Sequence, residues 1–148
     1  MRITDRFSSE HAVFVQQLDA IADLRTSRVE APALVAAVRT LAAPLLRHAE
    51  NEESALFPDL ARTLGPEGGP LAVLTAEHVL IHGYLDHIWA EPTRAELVDA
   101  LDGLAGLLRE HIAKEEDVLF PLADRLIGDD RLRELDAQAT RAVVHVGR

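Results

Sequence analysis

The 148-residue sequence predicts an all-α fold, an up-down-up-down antiparallel four-helix bundle with a short C-terminal fifth helix. Three observations predict it. Apolar residues recur at spacings of three and four through most of the chain. Pro and Gly punctuation cuts that pattern into four long stretches with short links. No stretch keeps the two-residue alternation of a half-buried strand. The expected organisation is a bundle over residues 1–128 and an amphipathic helix and tail over 129–148.

Thr4 or Ser8 is expected to cap the first helix, whose stripe is Phe7, His11, Phe14, Leu18 and Ile21. Pro32 suits the first turn of the second, with Leu34, Val38, Leu41, Leu45, His48, Glu52 and Ala55 on one face. Pro44 lies within that stripe and is expected to kink the helix just before His48. Gly65-Pro66-Glu67-Gly68-Gly69 is a break, after which Pro70 opens a third helix carrying Leu71, Leu74, His78, His82, Leu85 and Trp89. Glu91-Pro92-Thr93 leads into the fourth, with Leu97, Leu101, Leu104, Leu108, His111, Glu115, Leu119 and Leu122. Gly128 closes the bundle. In the tail, Leu132, Leu135, Ala139 and Val143 share a side, which is expected to pack across the bundle rather than join a dimer.

Composition narrows the function. The chain has no Cys, hence no disulfide framework, thiolate metal site or redox dithiol. No apolar run reaches the roughly 20 residues of a membrane span, and the first residues turn polar at once, so a cytoplasmic location is expected. A net charge of −10 argues against nucleic acid and anionic membrane as partners. The sequence singles out no protein partner.

The chemistry is carried by a repeat. His48-Ala49-Glu50-Asn51-Glu52-Glu53-Ser54-Ala55-Leu56-Phe57-Pro58 returns as His111-Ile112-Ala113-Lys114-Glu115-Glu116-Asp117-Val118-Leu119-Phe120-Pro121, both reading H-x-x-x-E-E-x-x-L-F-P. Glu10-His11 with Leu18-Asp19-Ala20-Ile21 returns as Glu77-His78 with Leu85-Asp86-His87-Ile88. Residues four apart share a helical face, so His48 and Glu52, His111 and Glu115, and His78 and His82 point together into the apolar stripes. Buried carboxylates are costly unless compensated. A metal neutralises them and uses the imidazole lone pairs together. The expected metal ligands are His11, His48, Glu52, His78, His82, His111 and Glu115. His87 is expected on the opposite face from His78, and His145 in the exposed tail. His78 and His82 have the spacing of a zinc-protease helix but lack its Glu, which excludes that chemistry.

Five imidazoles and two carboxylates exceed one tetrahedral zinc and suit two six-coordinate first-row metals. With two bridging glutamates and one bridging oxide or hydroxide, this set leaves one open position for a small diatomic molecule or peroxide. Phe14, Val15, Leu45, Phe57, Leu108 and Phe120 are expected to line the pocket. No catalytic side chain is assigned. Tyr84 is a possible proton donor, with a flank position on the bundle as the alternative.

On these motifs, over residues from about 5 to 127, the chain resembles the hemerythrin-like, His-His-Glu cation-binding domains in their bacterial single-domain form. The resemblance implies a non-haem di-iron centre, with His78, His82 and His111 on one iron, His11 and His48 on the other, and Glu52 and Glu115 bridging. Val15 stands where His82 stands in the second half, so the two-His iron would hold the open position. The oxygen-carrying members close the second motif with an Asp five residues after the His. Here Glu116 has that spacing, and helical geometry favours Glu115 as the bridge. The implied function is binding or sensing of oxygen or nitric oxide. The alternatives are a di-iron enzyme consuming peroxide or nitric oxide, iron-sulfur centre repair, a ligand-gated interaction module, and a structural metal site. Relatives with the repair and gating roles carry additional domains.

Overall fold

The computed structural model describes residues 1–146, and side chains through residue 142. The expectations for Val143 and His145 lie outside the described side chains. All regular structure among the described residues is helical. Helix α1 spans Ile3–Thr26 and α2 spans Ala31–Asn51. A π-helical turn, π1, follows at Glu52–Leu56 and leads into α3, Phe57–Leu64. Helix α4 is Leu71–Trp89 and α5 is Arg94–Lys114. A second π turn, π2, covers Glu115–Leu119 and leads into α6, Phe120–Leu126. Helix α7 is Asp129–Val146. Contacts of α1 with α2, α2 with α4, α4 with α5 and α5 with α1 close the four-helix ring. None of these helices is long and apolar enough to cross a membrane.

The helix ends follow from local chemistry, with one correction. Helix α1 starts before Thr4 or Ser8. Arg2 is its N-cap, and the Asp5 carboxylate accepts the Arg2 backbone N–H at 3.2 Å. Thr4 is buried in the first turn instead of capping it. Helix α5 carries a reciprocal capping box between Thr93 and Glu96, at 3.3 and 2.9 Å. Pro44 does not interrupt α2. It lies on the exposed side, where water can satisfy the Thr40 carbonyl that the missing N–H leaves free. The α-helical ladder changes further on, at the metal motif. Pro58 and Pro121 sit in the first turns of α3 and α6. Neither can donate to the carbonyl four residues back, and a wider π turn precedes each. Gly65 and Gly128 end their helices at φ values of 80° and 84°, a conformation that favours glycine.

The core has two apolar parts. One contains Phe14, Leu18, Leu45, Ile81, Leu85 and Leu108 with their neighbours. The other contains Ile3, Phe7, Leu56, Leu74, Leu119 and Phe120 with theirs. Between them on each rod of the bundle lies a buried polar residue: His11, His48 with Glu52, His78, and His111 with Glu115. The His/Glu layer is thus sealed above and below by hydrocarbon. Helix α7 packs on α1 and π1, and its Leu132, Leu135 and Ala139 join the second apolar part. Arg131 grips Asp59 through two bonds of 2.7 and 3.1 Å, and Arg6 pairs with Asp136. The tail therefore packs on the bundle, as its apolar side predicts.

Candidate metal centre

Each bundle helix brings one buried imidazole to the polar layer: His11 from α1, His48 from α2, His78 from α4 and His111 from α5. Glu52 and Glu115 enter from the first residues of π1 and π2 and are fully buried. These side chains form two overlapping groups, His11-His48-Glu52-Glu115 and Glu52-His78-His111-Glu115. In each, one donor atom per residue lies within 4.8 Å of all the others.

Both carboxylates divide their oxygens between the groups. Glu115 places Oε2 2.9 Å from His11 Nε2 and Oε1 2.8 Å from His111 Nε2. Glu52 places Oε1 3.1 Å from His48 Nε2 and Oε2 3.1 Å from His78 Nε2. The imidazoles converge as well, with Nε2 atoms 3.1 Å apart for His11 and His48 and 3.2 Å apart for His78 and His111.

The outward nitrogens explain why. His11 Nδ1 lies 2.7 Å from Glu116, His48 Nδ1 2.5 Å from Glu10, His78 Nδ1 2.7 Å from Glu53 and His111 Nδ1 3.4 Å from Glu77. A carboxylate accepts the Nδ1 proton and so turns the Nε2 lone pair inward. Sequence reasoning did not assign these four glutamates, although the signal was present in the repeated E-H and E-E pairs. The Glu before each lone His supports the motif His of its own half. The second Glu of each E-E pair supports the lone His of the other half. Glu116 therefore serves His11 from outside, and Glu115 is the inner carboxylate.

The structure brings six of the seven expected ligands together. His82 is exposed and belongs to neither group. The turn after His78 buries Ile81 against the core and leaves His82 towards solvent. The three-to-two division of histidines is thus not the arrangement seen: each group has two imidazoles. Phe57 stacks on His78 with centroids 5.9 Å apart, Phe120 stacks on His11 at 5.5 Å, and Phe14 meets His48 edge-on at 5.3 Å. Leu45 lines a small void beside the site. Val15 and Leu108 belong to the apolar core. Phe7, not among the expected lining residues, meets the His48 ring edge-on at 4.8 Å. Tyr84 lies on the flank, so close over Gly103 that a Cβ there would come within 2.6 Å of its ring. His87 is exposed, as its helical phase predicts.

Electrostatics are those of a site awaiting positive charge. Burial pulls the His48 ring down, but the Glu52 charge and the Glu10, Glu115 and Glu52 contacts carry it well above its ordinary value. Burial likewise opposes ionisation of His78, and Glu52 and Glu53 raise it. Burial pushes the Glu115 carboxyl up, and His11, His111 and His48 more than reverse this, holding it well below the usual carboxylate range. None of the four oxygens of Glu52 and Glu115 has a hydrogen-bond partner, although all four are buried. Orphaned carboxylate oxygens and facing imidazole lone pairs are both expensive alone. A pair of cations, one per group, satisfies every one of them, so the donor set fits metal.

Neither a curated protein nor a solved structure matches the chain. The family model described as the hemerythrin HHE cation binding domain matches residues 2–123. With that match covering most of the chain, and a four-imidazole, two-carboxylate centre at its middle, the protein belongs to the hemerythrin HHE cation-binding family.

Proposed function

We propose that the chain holds two iron ions with a bridging oxide or hydroxide, and that it binds or senses a small diatomic molecule such as oxygen or nitric oxide. One observation carries the reading: the two four-donor groups share both carboxylates, which supports one site for two ions rather than two separate sites. Borderline nitrogen donors mixed with hard oxygens suit first-row metals, and six donors are too many for a single tetrahedral zinc. Iron, when bound, supplies one-electron redox chemistry and open coordination positions for a ligand. His11, His48, His78 and His111 would hold the ions through Nε2, and Glu52 and Glu115 would bridge them. The Phe7, Phe14, Phe57 and Phe120 rings pack about the imidazoles and exclude water. Glu10, Glu53, Glu77 and Glu116 fix the tautomers from outside.

A second reading, consumption of peroxide or nitric oxide, is favoured by the symmetry of the donor set. With two ions bound, two imidazoles, two carboxylate oxygens and a shared bridge would supply about five donors to each, and both would be able to engage one ligand. The test is metal analysis together with the optical spectrum of the reduced protein before and after oxygen, nitric oxide and peroxide. Two irons per chain with a stable oxygen or nitric oxide adduct support binding. Rapid turnover of peroxide with gas release supports the enzyme. A single zinc per chain overturns both.

A further inference from the structure

The two halves of the site are near copies in their ligands but not in their walls. Between α2 and α4 a surface groove of about 800 Å³ runs down to His78. Beneath it, beside His48, His78 and His111, lies an enclosed void of about 10 Å³, room for roughly one water-sized molecule. Leu46, Ala49, His78 and His82 line both spaces. They are therefore the partition between solvent and the metal groups.

The matching partition on the other side, between α1 and α5, is built differently. The repeat places Ile112 where Ala49 stands, Arg109 where Leu46 stands and Val15 where His82 stands. Ile112 is buried, and Val15 is half-buried against the core. Arg109 bonds Asp19 on α1 at 2.6 Å, tying α5 to α1 there. A branched side chain and an ion pair stand at the corresponding places on that face. On the α2–α4 face the side chain at the Ile112 position is only the methyl group of Ala49, buried at 9% exposure.

We propose that the small ligand enters through the α2–α4 groove and seats in the void beside His78 and His111. Ala49 is the specificity-determining residue of that throat, and Leu46 and His82 form its outer rim. This rests on the dinuclear-iron reading above. It assigns entry to one face, and it gives His82 a place at the rim, outside the donor groups. The small void sets the size class of the ligand: with room for roughly one water-sized molecule, it puts a diatomic at its upper limit, and a larger anion would have to displace Leu46 or Ala49.

The test is stopped-flow mixing of nitric oxide with reduced, iron-loaded protein, with iron content and the optical spectrum measured on the same samples. Ala49→Ile, which copies Ile112 of the other face, should slow the reaction tenfold or more while iron content and spectrum stay as in the wild type. Leu46→Trp plugs the rim and should slow it in the same direction, so the test survives if Ala49→Ile loses iron. Ala113→Ile, on an exposed position of α5, should react at the wild-type rate. Wild-type rates in an iron-loaded Ala49→Ile or Leu46→Trp variant overturn the proposed route. A wild-type protein that binds no iron pair overturns the underlying reading instead, and with it the route.

Discussion

The Lys114 ammonium lies 2.8 Å from Glu77 Oε2, and the other oxygen of Glu77 faces His111 Nδ1 at 3.4 Å. Lys114 is the only lysine in the chain, and Asn51 holds its place in the first half. There Glu10 approaches His48 Nδ1 at 2.5 Å, and the cation it feels is Arg6, which bonds Asp136 instead. Glu77 is thus partly neutralised by a direct ammonium contact, and His111, at 3.4 Å, is the least closely supported of the four imidazoles. Replacing Lys114 with Met should return the Glu77 charge to His111 and make it a stronger donor. A stronger donor favours the oxidised ion, so the reduction potential of the loaded centre should fall. Lys114 is 44% exposed, so screening holds the shift to tens of millivolts, the scale of about 1 kcal/mol. Spectroelectrochemistry reads it, and an upward shift would contradict the assignment.

Glu115 reaches both donor groups, one oxygen to each. Glu115→Gln should therefore remove both ions together, with iron per chain falling from two towards zero rather than to one. Binding that occurs only in the folded state adds stability, about 3 kcal/mol when metal exceeds the dissociation constant a hundredfold. The gap in melting temperature between loaded and metal-free protein should close in the variant. One iron retained at full occupancy would show that the carboxylate is not shared.

Support from outside the ligand set can be measured alone. Glu53 is 45% exposed at its side chain yet holds His78 Nδ1 at 2.7 Å. Glu53→Gln should keep the fold and lower metal affinity by about 10- to 100-fold, the usual cost of losing such a carboxylate. Glu50→Gln, exposed nearby, is the matched control and should leave affinity unchanged. Equal affinities in the two variants would place the tautomer control elsewhere.

Much of this was legible in the sequence. Three-and-four spacing located the helices, and the H-x-x-x-E-E repeat placed His48, Glu52, His111 and Glu115 on inward faces. Two features were not legible. Pro44 and Pro58 look alike in sequence, but only the second is preceded by a π turn, and Pro44 lies on the exposed side of α2, where water can serve the backbone. The other is His82. A spacing of four puts it near the face of His78, yet the stripe from Leu74 through His78 to Ile81 and Leu85 is the one that turns inward. Periodicity defines a face about as wide as two neighbouring positions, and the packing of α4 against α5 decides between them.

That distinction gives a direct check. His82→Ala should leave two irons per chain and an unaltered metal spectrum, because neither donor group includes it. His87→Ala should do the same. Loss of one iron in His82→Ala alone would mean that the ring swings inward to ligate.

Acid should loosen α7 before it melts the bundle. The Asp59 carboxyl is held below its ordinary value of 3.8, first by its hydrogen bonds to Arg131, against the opposing effect of burial. A group whose folded pKa is depressed contributes stability above its unfolded value and loses it as pH falls through the folded one. The Asp59–Arg131 contribution is therefore complete at neutral pH and disappears below about pH 4. Leu132, Leu135 and Ala139, with the Arg6 contacts to Asp136 and Thr140, would then hold α7. In metal-free protein, hydrogen exchange of α7 amides should accelerate below that pH relative to α4 and α5. Asp59→Asn should show the faster α7 exchange already at pH 7 and a weaker acid dependence, since no proton remains to be taken up at that site. If the variant kept the wild-type pH dependence, α7 would be released by protonation elsewhere, with Asp5 on Arg2 the next group to examine.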